Sequence, residues 1–186
     1  MKKQNSNKKK PTKKLVALAL FTALAFIFSF WSFPIFPAAP FLKLDFGNVL
    51  VLLVSFLLGP VEGVIVCLLK EGLRAIGSSS GGVGEIANVL ATSAYILLPA
   101  IAYRLHRGLK VVVPSLAVAC LLGTGAALLT NRFITFPLYM GEGAAAMFGD
   151  LFWYVLAFNL IKTAAVSLLT LLLYKRLSNF LKKMKI

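Results

Sequence analysis

The sequence predicts an all-α integral membrane protein, a bundle of six transmembrane helices. Three observations carry that prediction. Of 186 residues, 59% are hydrophobic and only 14% are charged, more apolar surface than one soluble core of this size can hide. The apolar residues fall into about six runs parted by proline- or glycine-rich breaks. A run of roughly 20 residues spans the hydrocarbon layer as a helix, which satisfies its own backbone hydrogen bonds there. Finally, the basic residues behind the net charge of +14 gather at a few places instead of spreading over a surface.

Helix 1 is expected over about 15–33. Pro34, Pro37 and Pro40 then forbid helix and force an extended loop. Helix 2 is expected over about 45–58, short for a full span, and Gly59-Pro60 turns the chain into helix 3 at about 61–76. The Gly/Ser-rich stretch 77–84 reads as a loop. Helix 4 follows at about 85–103 and helix 5 at about 111–136, ended by Pro137. A Gly/Ala-rich loop at 138–149 leads to helix 6 at about 150–174. No internal repeat is visible. The organisation is thus a basic tail at 1–14, a six-helix transmembrane domain at 15–174 and a second basic tail at 175–186.

One basic cluster is Lys2, Lys3, Lys8, Lys9, Lys10, Lys13 and Lys14; the second is Arg104, Arg107 and Lys110; the third is Lys175, Arg176, Lys182, Lys183 and Lys185. With six spans all three share one side, and the positive-inside rule makes that side the cytoplasm. Both termini are therefore expected in the cytoplasm, with the chain in the plasma membrane. The clusters read as a solvated belt against anionic lipid headgroups, not as a nucleic-acid surface. The N-terminal run is longer than a signal-peptide core, and Pro37-Ala38-Ala39-Pro40 is a poor cleavage site. It reads as a retained helix. Cys67 and Cys120 lie singly in apolar runs, and the one histidine, His106, lies in the middle basic loop.

Catalytic motifs are missing. The phosphate-binding pattern G-x-x-x-x-G-K-[ST] does not occur. Gly82-Val83-Gly84-Glu85-Ile86-Ala87 fits a loose dinucleotide fingerprint, but no strand precedes it. No nucleophile–base set and no metal-ligand spacing is visible. The chain reads as a binder and not an enzyme, with no cofactor and no metal.

Polar groups within a membrane domain are costly, so their positions are informative. Outside the basic clusters stand Lys43, Lys70, Arg74, Arg132 and Lys162, with Asp45, Glu71, Glu85, Glu142 and Asp150. Nearly all map to outer helix ends or outer loops, as a pocket open to the outside requires; headgroup-level anchors would give the same pattern. On helix 4, Glu85, Asn88, Thr92 and Tyr95 form one polar stripe at helical spacing. On helix 6, Asn159 and Lys162 share a face, and Asn131 lies in the outer half of helix 5. Interhelical hydrogen bonds or a snorkelling lysine are the plainer readings, though Lys162 lies about twelve residues from either end of its helix. A buried Lys162 calls for an acidic partner among Glu85, Glu71 and Asp45. Ala19 and Ala23, four apart on helix 1, would let another helix approach closely.

Further segments complete the pattern: Phe41-Leu42-Lys43-Leu44-Asp45-Phe46, Gly59-Pro60 with Lys70, Ala87-Asn88, Leu121-Leu122-Gly123-Thr124, Asn131 with Pro137, and Phe158-Asn159-Leu160-Ile161-Lys162. Over about 13–174 the chain resembles the riboflavin-binding S component of energy-coupling factor (ECF) vitamin transporters. It departs from that pattern at Gly47-Asn48, Leu50, Cys67 and Glu85. The resemblance implies a six-helix bundle that takes riboflavin from outside as transported ligand. Its implied partners are a transmembrane coupling subunit, two ATPase subunits and membrane lipid, without nucleic acid. The substrate-binding residues it implies are Asn131, Asn159, Lys162, Asn88, Glu85, Leu44, Asp45 and Phe46. Ala19 and Ala23 would contact the coupling subunit, and the loop at 34–44 would close over the ligand. FMN or another vitamin remains an alternative ligand; a small membrane enzyme and a purely structural membrane protein are alternative classes.

Overall fold

A computed structural model of the chain describes residues 9–78, 80–106 and 108–183. Of the basic clusters, Lys2, Lys3, Lys8, Arg107 and Lys185 lie outside the described residues. The chain runs through α1 (Lys9–Ser29), β1 (Ser32–Pro34), β2 (Lys43–Asp45), α2 (Gly47–Leu57), α3 (Pro60–Ala75), α4 (Val83–Leu105) and α5 (Leu109–Thr130). A π-helical turn (Asn131–Thr135), α6 (Phe136–Met140) and a 3-10 turn (Gly141–Gly143) then lead into α7 (Ala144–Lys183). The protein is mostly helical. Thr12–Ser29, Val83–Leu105 and the stretch Leu109–Tyr174 are long and apolar enough to cross a membrane.

α2 is the centre of the packing. It touches α1, α3, α4 and α7, and Val51, Leu52, Leu53 and Val54 have no more than 1% of their surface exposed. A helix apolar on every side belongs in an interior, which explains why this short run need not span by itself. Its start is wedged in place. A Cβ at Gly47 would stand 2.5 Å from the Ala25 carbonyl oxygen of α1 and 3.1 Å from Cδ of Lys70 on α3, so only glycine allows the three elements to meet. At its other end Gly59 takes φ 135° and Pro60 opens α3, a turn for which a residue free of Cβ and one without an N–H are suited.

The main apolar core gathers Phe21 and Ala25 of α1, the α2 residues, Val66 and Cys67 of α3, Ile96 of α4, Leu116 and Ala119 of α5 and Val166 of α7. A second cluster caps the opposite end of α7: Ala39, Leu42 and Leu44 pack with Phe136, Ala144, Val155 and Phe158. The outer faces are apolar too. Leu15 and Leu20 of α1, Leu68 of α3, Leu121 and Leu129 of α5 and Leu172 of α7 are all at least half exposed, as suits a bundle solvated by lipid.

Three expectations change. The segment after α1 is not only a proline-stiffened loop: β1 pairs with β2 in an antiparallel hairpin with Phe33 opposite Leu44, so the fold is helical with one small two-stranded sheet. The terminal proline of β1 sits where no ladder N–H is needed. Second, helix does not end at Phe136. α5 passes through the π-helical turn into α6 with Pro137 in its first turn, a position that asks for no N–H. Third, most of the expected loop at 138–149 is helical, because α7 starts at Ala144, where three successive alanines favour helix. α1 and α7 also extend into the segments expected as tails.

Candidate functional site

The polar interior begins where β2 meets α2. The Asp45 carboxylate ends β2 and accepts from the backbone N–H of Asn48 at 3.3 Å and from its side-chain amide at 3.3 Å. Lys70 of α3 reaches the same place. Its ammonium donates to Asn48 Oδ1 at 2.8 Å and Asp45 Oδ1 at 3.2 Å, and pairs with Glu71 Oε1 at 2.7 Å. An ammonium has three N–H donors, and Lys70 uses all of them. It is wholly buried, while Asp45 and Glu71 are 4% and 3% exposed. Lys70 and Glu71 thus lie inside the bundle and do not face lipid.

Asn88 of α4 extends this cluster towards α7. Its Nδ2 donates to Glu71 Oε1, and its Oδ1 accepts from Asn48 Nδ2 at 3.2 Å, from Thr92 Oγ1 at 3.2 Å and from the ammonium of Lys162. The expected acidic partner of Lys162 is therefore corrected. Asp45 and Glu71 are held by Lys70, and Glu85 is bonded to Ser80 Oγ at 2.7 Å. Lys162 donates to the amide oxygen of Asn88, and its ammonium also lies 5.9 Å from the centre of the Phe158 ring.

Beside this cluster is a narrow cleft lined by Asn48 of α2, Ala91, Thr92 and Tyr95 of α4, Gly123 of α5 and Asn159, Lys162, Thr163 and Val166 of α7. Tyr95 is fixed by bonds to the Thr163 carbonyl at 3.2 Å and to Ser167 Oγ. Amide and ammonium groups stand among aliphatic and aromatic surface. Such a lining offers hydrogen-bonding groups within a mostly apolar wall.

The structure brings some of the expected site residues together and separates others. Asn159 and Lys162 line the cleft together. Asn131 is buried in the π-helical turn with its amide turned back to the Ala127 carbonyl at 2.8 Å. Asn88 and Asp45 belong to the adjoining polar cluster. Glu85 holds the loop before α4. Leu44 packs in the cap with Phe136 and Phe158, and Phe46 lies 6.2 Å from the Phe33 ring across the hairpin. The loop over 34–42 is sealed against α6 and α7 by aromatic pairs, Phe41 with Phe136 at 5.9 Å and Phe36 with Tyr154 at 5.5 Å. Ala19 and Ala23 are exposed on α1 while Ala17, Phe21 and Ala25 face inward. Asn48 and Thr163 are not among the expected site residues, and Asp45 and Glu71, expected as candidate partners of Lys162, pair with Lys70. Thr163 follows Asn159 by four residues on the same helix face, a signal the spacing did carry.

The family model described as the substrate-specific component of ECF transporters matches residues 13–174. The chain belongs to that family. It is 34% identical over 176 residues to the riboflavin transporter RibU of Staphylococcus aureus, covering 92% of this chain and 93% of that one. It is 28% identical over 187 residues to the riboflavin transporter FmnP of Bacillus subtilis, covering 93% and 96%. A solved structure of the S component of a bacterial ECF transporter superposes with a TM-score of 0.81 at 35% identity, over 93% of this chain and 99% of that one. The chain is accordingly a membrane-embedded transporter component and not an enzyme.

The ion pairing makes a prediction about stability. Lys70→Met strands two buried carboxylates and is expected to cost about 3–5 kcal/mol. Lys162→Met, which removes a cation bonded to an amide, is expected to cost about 1–2 kcal/mol. Thermal unfolding of the detergent-purified protein compares them. Equal losses would show that the acids are not committed to Lys70.

Proposed function

We propose that this chain is the riboflavin-binding subunit of an ECF transporter, which captures the vitamin from outside and passes it inward with a separate ATP-driven module. The observation that carries the reading is the convergence of Asn159 and Lys162 on one cleft, in a chain whose similar relatives are riboflavin transporters. An isoalloxazine ring is flat and largely apolar, with carbonyl oxygens and a ring N–H on one edge. Asparagine donates and accepts, so it suits a mixed edge; an ammonium only donates, so Lys162 suits a carbonyl oxygen or ring nitrogen. Asn131 would close the site from the α5 side.

In this reading residues 15–174 form a six-helix binding domain, with α1, α2, α3, α4, α5 and α7 as the six helices and basic tails at 1–14 and 175–186. The hairpin end faces outward. The loop over 34–44 is the cover of the site, since its aromatic seam with α6 and α7 must part to admit a ligand from that end, with Leu44 and Phe46 as apolar cover. The partners are a transmembrane coupling subunit and two ATPase subunits. Ala19 and Ala23 supply the docking face, exposed on α1.

Riboflavin binding is the first test. The purified protein should carry flavin absorbance. Removing a charged hydrogen-bond donor typically costs about 1.5–3 kcal/mol, roughly ten- to a hundredfold in affinity. Lys162→Ala should weaken riboflavin by about that factor and Asn159→Ala, a neutral amide, by roughly two- to tenfold, and Lys110→Ala, at an exposed position, should not. Equal binding by all three variants would remove the pocket from consideration.

Docking has its own test. Replacing Ala19 and Ala23 by leucine should abolish riboflavin uptake by cells while the isolated subunit binds normally. Uptake at the natural rate would place the docking face elsewhere.

Orientation is tested by cysteine labelling of intact cells at positions 79 and 5, both outside the described residues. Ser79→Cys should react with an impermeant reagent and Asn5→Cys should not. The reverse pattern would invert the topology.

A further inference from the structure

Asn88 has too little capacity left to serve as a main ligand contact. An amide oxygen offers two lone pairs, and that of Asn88 already accepts from Asn48, Thr92 and Lys162. One of its two amide protons goes to Glu71. Glu71 in turn uses the same oxygen, Oε1, for Asn88 and for the ammonium of Lys70 at 2.7 Å. Neither Asn88 nor Glu71 is among the residues lining the cleft, whereas Lys162 is. A continuous chain of hydrogen bonds therefore runs from the buried ion cluster to the one ammonium that faces the cleft.

The chemistry of that chain is directional. Glu71 accepts from the amide of Asn88, which makes the Asn88 oxygen a better acceptor for Lys162, since bonds in such chains polarise one another. Yet an amide remains a weaker partner for an ammonium than a carboxylate is. Lys162 is thus oriented without being neutralised by contact. Of its three N–H groups one goes to Asn88, leaving donors for an acceptor in the cleft. A carboxylate at position 88 would instead hold Lys162 in a tight ion pair, and a ligand carbonyl would have to compete with it.

We infer that Asn88 and Glu71 are positioning residues for the transported ligand: they hold Lys162 at the cleft through an amide, backed by a carboxylate that Lys70 keeps in place, and so set how strongly Lys162 can bind an acceptor on the ligand. The inference rests on the riboflavin reading above and adds two residues that act through Lys162.

The test is a double-mutant cycle in the full-length protein with riboflavin as the probe. Affinity and the position of the flavin visible absorption band are measured for the natural chain, Glu71→Gln, Asn88→Asp and Lys162→Met, and for each of the first two variants combined with Lys162→Met. Glu71→Gln and Asn88→Asp should each weaken riboflavin about tenfold in the natural chain and less than about twofold when Lys162 is already methionine. Both should move the flavin band towards its position in Lys162→Met, because the band reports the charge at the ring edge. Asn88→Asp is nearly isosteric and keeps both Lys70 and Glu71, although it removes the N–H that Glu71 accepts, so it remains informative if Glu71→Gln fails to fold. Losses of the same size with and without Lys162, or an unmoved band, would overturn the inference while leaving riboflavin binding intact. A natural chain that takes no riboflavin would overturn the functional reading, and this one with it.

Discussion

Moving an ammonium out of water into a helix bundle costs several kcal/mol even after relaxation, and a buried ion is tolerated only where partners meet it in good geometry. Lys70 is wholly buried, so its surroundings are dictated. Asp45 must come from the hairpin, Glu71 from the next position on α3, and Asn48 from the first turn of α2. Three elements, β2, α2 and α3, are thereby tied at one point before any apolar contact is considered, and Asn88 joins α4 to it through Glu71 and Asn48. The cluster closes electrically. Lys70 and Lys162 carry two positive charges, Asp45 and Glu71 two negative ones, and Asn48 and Asn88 connect them without adding charge.

The same point determines where the backbone can go. Gly47 lies between the Ala25 carbonyl, Asp45 Oδ1 and the Lys70 stem, and any side chain there would push α1 from α2 or Lys70 from its acids. Close approach and ion pairing are thus one constraint viewed from two elements. It also explains why α2 can be so short. Its start is held by the polar cluster and its sides by Phe21, Val66, Ile96 and Val166, so it needs neither length nor contact with lipid.

Local physics was legible in the sequence and long-range pairing was not. Apolar runs, Gly59-Pro60 and the face shared by Asn159 and Lys162 depend on neighbours within a few residues, and they appear as read. Pro137 was misread because proline ends a helix only when it lies past the first turn; here it opens α6 after the π-helical turn. The strand pairing of Phe33 with Leu44 brings together residues across a proline-rich loop, where no periodicity announces it. Choosing the acidic partner was harder still. Asp45, Glu71 and Glu85 were equally available to Lys162 by sequence. Lys70, one residue before Glu71, takes the first two, and Ser80 takes the third.

Burial therefore divides the molecule into two parts with different freedom. Around α2 the core is apolar, and shifting a helix there would open voids against Leu52, Val66 and Ala119, which are fully covered; packing of that kind resists continuous deformation. The hairpin end is covered differently. Its cap is a smaller apolar cluster of Ala39, Leu42 and Leu44 against α6 and α7, edged by edge-to-face aromatic pairs that add about 0.5–1.5 kcal/mol each beyond their burial. Such a seam can part for far less than the core can. Asp45 lies where the two parts meet, at the end of β2 and on the ammonium of Lys70. Movement of the loop can stop there, because pulling Asp45 away would leave its buried carboxylate without an ion partner and one N–H of Lys70 without an acceptor. The ion cluster thus serves as the fixed end of the hairpin, and a ligand site built beside it keeps its polar wall while its cover moves.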